Sequence, residues 1–238
     1  MSQFKLEKQL PSCTVSKDLL RELEAYLLAK AKALAGDEVL EEGRHFRVRI
    51  HDDLGVETIS TVDSIPGGQF LDSTSQVALE LDLRYGKTSF PLEVDIRFNK
   101  DRSFSKLTIA YSGDDARSVV AGLNDGVLRL VLSAKNGNRF FNPPPAFEGA
   151  LWVATSLPLF AGSVIEKTLP SGFAFGALLA ALMYAYLIAG KRLRPYTAFD
   201  TPSTERNSKI VEWFIYGLAG FLVFGTLFVV LRKSAIGF

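Results

Sequence analysis

Polar and apolar residues alternate along the first 135 positions with two different periods. Phe4 and Leu6 alternate with Lys5 and Glu7 before Pro11, which predicts a short strand over 4–10. Leu19, Leu20, Leu23, Leu27, Ala31 and Leu34 then recur at helical spacing. Ser16 is placed as the N-cap and Gly36 as the stop. The period switches back to two: Phe46, Val48 and Ile50 alternate with Arg47, Arg49 and His51, and 52–55 is a turn into a strand over 56–62. The Gly, Pro and Ser content of 64–75 predicts a loop. Val77, Leu79, Leu81 and Leu83 give the next strand, and Phe90, Leu92, Val94, Ile96 and Phe98 the one after it, with a turn at Gly86-Lys87. A last strand is placed over 104–111. Val119, Val120, Leu123, Val127, Leu130 and Val131 form the stripe of a second helix.

One wet face and one packed face per strand mean an antiparallel, one-sided sheet. The expected N-terminal unit, 1–142, is therefore an α+β domain of about five to six antiparallel strands with two helices on one face.

Beyond a Pro-rich linker at 143–148 the pattern changes. Charge-free runs occupy 149–165, 171–190 and 213–231, the last extended to 211–231 as a helix. Read by length, the second and third are membrane spans and the first a possible one. The expectation is an α-helical membrane region of two to three spans over 149–238. Gly172, Gly176 and Ala180 form a small-residue stripe, expected to mediate oligomerisation by letting helices approach closely.

Charge agrees with that division. Residues 1–148 carry 19 basic and 22 acidic side chains, and residues 149–238 carry 8 and 4. The basic loop 191–209 would face the cytoplasm by the positive-inside rule. The first thirty residues lack the pattern of a signal peptide, so the N-terminal domain is expected to be cytosolic, in a bacterial or organellar inner membrane. The lone cysteine, Cys13, forms no disulfide within the chain and reads as a small core residue.

Candidate chemistry is sparse. Asp114-Asp115 fits a helix start and Asp52-Asp53 a hairpin turn. Glu80, Asp82, Glu93 and Asp95 fit a solvated sheet face with cross-strand ion pairs to Arg84 and Arg97. Pro66-Gly67-Gly68 lacks the rest of a phosphate-binding loop. With two histidines and one cysteine, no metal spacing is present. No catalytic set, metal or cofactor is expected, and the sequence leans away from an enzyme. The one strip with binding chemistry is Arg44, Arg47, Arg49 and His51, with His45 beside it: a basic, anion-attracting strand edge expected to hold an anionic small ligand. A net-negative domain is not expected to bind nucleic acid.

The layout resembles the membrane effectors of bacterial signal-triggered defence. The expected function is that of an integral membrane protein whose cytosolic domain senses a ligand or partner and couples it to an oligomeric membrane region, which the resemblance implies to be membrane-perturbing. Membrane lipid and a homo-oligomer or larger membrane complex are the implied partners. A membrane-anchored scaffold and a membrane-bound enzyme with an unrecognised site are the alternatives.

Overall fold

The computed structural model describes residues 2–35, 46–65, 67, 69–83, 92–165, 170–204, 206–213 and 216. Arg44, His45, the Gly36 stop, the Gly86-Lys87 turn, Pro66, Gly68 and most of 211–231 lie outside the described residues.

Six strands form one antiparallel sheet: β1 (Ser2–Gln9), β3 (Phe46–Asp52), β4 (Gly55–Ile59), β5 (Gln76–Leu83), β6 (Leu92–Asn99) and β7 (Lys106–Gly113). Their order is β1-β7-β6-β5-β3-β4. The register follows from the side-chain alternation. Val48, Leu79, Ile96 and Leu107 lie in one row on the packed face, and a slip of one residue would turn each of them to the wet face. At the β3–β4 hairpin, Asp52 Oδ1 accepts the backbone N–H groups of Leu54 at 2.8 Å and Gly55 at 3.0 Å. The turn thus satisfies its own donors.

Helix α1 (Lys17–Ala35) starts where Ser16 Oγ accepts the Leu19 N–H at 3.2 Å. It buries Leu19, Leu20, Leu23, Leu27 and Ala31. Helix α2 (Ala116–Ser133) buries Val120, Leu123, Val127 and Val131 in the same core. Its N-cap, Asp115, has a left-handed backbone (φ 56°) and makes no side-chain cap. Asp114-Asp115 thus stands at the helix start where the sequence placed it, with Asp115 in the N-cap position but without a side-chain hydrogen bond.

The remainder differs from expectation. Helices α3 (Pro145–Ile165) and α4 (Pro170–Leu193) pack together as a hairpin. Among the described residues, no helix is long and apolar enough to cross a membrane. The expected membrane region of two to three spans is corrected on that finding, and with it the integral-membrane function, the inner-membrane localisation and the effector reading. A charge-free run of about the right length is a necessary condition for a span and not a sufficient one.

The base of the hairpin is fastened to the sheet domain. A short helical turn, Asn138–Phe140, leads into α3. The Tyr186 hydroxyl donates to Phe140 O at 2.5 Å, and the Phe141 and Tyr186 rings meet at 5.5 Å. Gly190 permits this approach, since a Cβ there would stand 2.8 Å from Phe141 Cδ1. Asn142 Nδ2 donates to Asn138 O at 2.9 Å and to Arg194 O at 2.8 Å, joining the chain entering α3 to the chain leaving α4.

Past α4 the chain returns to the sheet domain. Two short strands, β2 (Thr14–Val15) and β8 (Ala198–Phe199), pair in parallel. Ala198 N–H donates to Cys13 O, Asp200 N–H to Val15 O and Phe70 N–H to Asp200 O. The Tyr196 hydroxyl donates to Leu10 O at 2.7 Å. Phe199 is 1% exposed and meets Phe70 edge-on at 5.8 Å. The segment 195–201, part of the basic loop in the sequence reading, is therefore structural, and it closes the core beside Cys13 and Val15.

Candidate ligand cleft

Arg47, Arg49 and His51 share the polar face of β3, as their spacing requires. Arg47 pairs in register with Glu80 and Arg49 with Ala78. The Arg49 guanidinium reaches Glu80 Oε2 at 2.8 Å. On β6, Arg97 binds both oxygens of Asp95, at 2.5 and 3.0 Å. A shallow groove of about 260 Å³ lies on this face, lined by Arg47, Arg49 and Arg97 together with Glu80, Asp82, Glu93 and Asp95. The basic strip faces carboxylates, so its field is largely compensated within the sheet. Gly172, Gly176 and Ala180 all fall within α4, and Ala180 is half-buried.

A larger cleft, of about 500 Å³, lies where the sheet domain meets the hairpin. Its first wall is the β6–β7 turn, whose shape is set by its own side chains. Asn99 Oδ1 accepts Asp101 N–H and Asp101 Oδ1 accepts Ser103 N–H, each at 2.8 Å. Buried Ser105 donates from Oγ to Asn99 O at 2.8 Å. This rigid turn presents Lys100 and Arg102. Lys100 Nζ donates to Asp72 O at 3.2 Å, and Arg102 Nη1 donates to Asn142 O at 3.2 Å. The Arg102 guanidinium also lies over the Tyr196 ring at 5.6 Å. A backbone carbonyl accepts a hydrogen bond without supplying a full charge, so neither cation is held in a direct ion pair by these contacts, although the Asp53 and Asp72 charges act on Lys100. Burial pulls the Lys100 amine below its ordinary pKa, against the opposing pull of Asp53 and Asp72.

The second wall is the end of α4, with Lys191 and Arg192, and the start of α3, with Glu148. Lys191 Nζ donates to both Glu148 oxygens, at 2.9 and 2.7 Å. The floor comes from the returning chain, with Phe199, Thr201, Ser203 and Thr204. Thr201 Oγ1 accepts Thr204 N–H at 3.2 Å, and Asp72 Oδ1 accepts Ser203 N–H at 3.0 Å. Hydrogen bonds from Ser203, side chain and backbone, hold the Asp72 carboxyl below its ordinary pKa, with help from Thr201 and the Arg206 charge. The three acids of the cleft are thus each engaged: Asp72 by Ser203, Asp101 by Ser103 and Glu148 by Lys191.

Sequence reasoning missed this site. In the sequence, Lys100 and Asp101 fall between two strands, and Lys191 and Arg192 belong to the basic loop 191–209, which bears only on topology. No short-range signal joins position 100 to position 191, because their meeting depends on the chain returning at 195–201. Among the described residues, no group of three or more His, Cys, Asp or Glu is placed to hold a metal ion. No protein-family model matches the chain, and neither does any curated protein or solved structure.

Proposed function

We propose that the chain is a ligand-binding module and that the cleft between the β6–β7 turn and the hairpin base is its binding site, taking a small polar ligand. One observation carries this reading: side chains from the sheet, both hairpin helices and the returning chain converge on one concavity of about 500 Å³. That volume suits a small molecule, and sites of this kind favour junctions between structural units. The walls combine cations, hydroxyls and amides, which orient a hydrophilic ligand.

The test is amide mapping by nuclear magnetic resonance on the full chain. The panel holds amino acids, ribonucleosides, ribose and phosphorylated sugars. Shift changes centred on 100–103, 142–148, 191–195 and 201–207 are expected, and Ser203→Trp, which fills the floor, should abolish them. Changes centred on Arg47 and Arg49 would move the site to the sheet face, and no change with any member would remove the reading.

A further inference from the structure

We infer that the group recognised in this cleft is a phosphate monoester, held between Lys100 and Arg102 on the sheet wall and Lys191 and Arg192 on the hairpin wall. The inference rests on the cleft being the binding site and names the chemistry that it selects.

The four cations come from two elements some ninety residues apart in sequence and line one cleft. The three acids beside them already have internal partners. Two of those partnerships, at Asp72 and Asp101, are with backbone N–H groups. Such bonds spread the negative charge of a carboxylate without using a cation. Lys100 and Arg102 in turn donate to carbonyl oxygens, which a phosphate oxygen outcompetes because the resulting bond is charge-assisted on both sides. Arg102 offers a planar fork that matches two phosphate oxygens, and its ring contact with Tyr196 fixes the plane of that fork. Lys191 spends two of its three ammonium donors on the Glu148 oxygens and, being part-exposed, can offer the third to a phosphate oxygen while that pair stays in place.

The rest of the lining fits the remainder of such a ligand. Ser103, Thr201, Ser203 and Thr204 supply hydroxyls and Asn207 an amide, the partners that ribose or sugar hydroxyls need. An anion between the two walls also ties the hairpin to the sheet, so binding should stabilise the whole chain by mass action.

Calorimetry on the full chain at low ionic strength tests the inference, with ribose 5-phosphate, inorganic phosphate and ribose as probes. Ribose 5-phosphate should bind, inorganic phosphate should compete with it, and ribose should be at least tenfold weaker. Affinity should fall steeply with added salt. Arg102→Ala should weaken ribose 5-phosphate at least tenfold. Because Arg102 also holds Asn142 O, the exposed Arg192→Glu serves as a second variant that leaves the junction intact, and it should weaken binding by a similar factor. Equal affinity for ribose and ribose 5-phosphate, or wild-type affinity in Arg192→Glu with the cleft amides still responding, would overturn the phosphate assignment. If ribose or an amino acid moves the cleft amides and no phosphorylated probe does, the ligand class is wrong while the cleft remains the site. If no probe moves them, both readings fall together.

Discussion

Tyr26 of α1 occupies the space that a side chain on Gly126 of α2 would need. Its hydroxyl donates to Gly122 O at 3.2 Å, and a Cβ built on Gly126 would overlap the phenol ring. Burial raises the phenol's pKa, consistent with a ring lying between the two helices. Gly in a helix interior costs about 1 kcal/mol relative to Ala, so the close approach of α1 and α2 carries that cost.

Gly126→Ala should therefore destabilise the fold despite its better helix propensity. The ring must swing out and lose its packing and its hydrogen bond, a net cost of about 1–2 kcal/mol. In a Tyr26→Ala background the same substitution should become neutral or stabilising. A double-mutant cycle by urea denaturation checks this, and additive effects would show that the ring has no part in the constraint.

Phe199 closes a core whose other buried residues lie within 10–131. Phe199→Ala should cost about 3–5 kcal/mol, the usual range for a buried aromatic. A fragment ending at 142 lacks both Phe199 and Tyr196, so it should melt well below the full chain. A chain in which 146–190 is replaced by a short Gly-Ser linker keeps the returning segment and should melt close to the full chain. Equal melting of the two shortened chains would show that 195–201 contributes little to the core.

Cys13 reports on the same contact. It is 0% exposed, and burial pushes its thiol up to about 12. In the native protein at pH 8 it should resist a thiol reagent and react only through opening or unfolding. Because Ala198 N–H donates to Cys13 O, Phe199→Ala should speed the modification by roughly tenfold or more per 1.4 kcal/mol of lost protection. Fast labelling of the wild-type chain would contradict the placement of β8 beside β2.

Glu24 gives a pH dependence. Desolvation, and secondarily the Asp63 charge, raise its pKa, although it accepts Val62 N–H at 3.0 Å. A raised carboxyl pKa favours the neutral form in the fold. That stability is fully present below the ordinary glutamate range and is lost as pH rises through the folded value. Glu24→Gln keeps an acceptor without the charge. It should raise stability at pH 7 by about 0.5 kcal/mol or less, since solvent screens a partly exposed group, and match wild type near pH 3. A constant difference across that range would exclude the titration as its cause.

Asn142 should be the most sensitive polar residue at the junction. Asn142→Ala leaves Asn138 O and Arg194 O without their shared donor, at a cost of about 1–3 kcal/mol. Amide exchange should quicken around 138–142 and 194–196, while the strands stay protected. Uniform loss of protection would mean that the junction and sheet unfold as one unit.

What the sequence determined by itself was local. Strand phase follows from period-two alternation, so Val48, Leu79 and Ile96 could be assigned to the packed face from the chain alone. The same holds for the stripe of α1, the Ser16 cap and the Asp52 turn, because each depends on residues within four positions of one another. Tertiary structure decided what depends on distance. The absence of charge over 171–190 did not reveal that this helix is seated through Tyr186 on Phe140 and Phe141. Arg49 reads as a free cation until β5 places Glu80 beside it. Phe199 reads as loop until its chain returns to Cys13 and Val15. The cleft exists only because that return brings Lys191 to the side of Arg102. Short-range periodicity encodes which face a residue presents, whereas the partner it meets there is set by the packing of the whole chain.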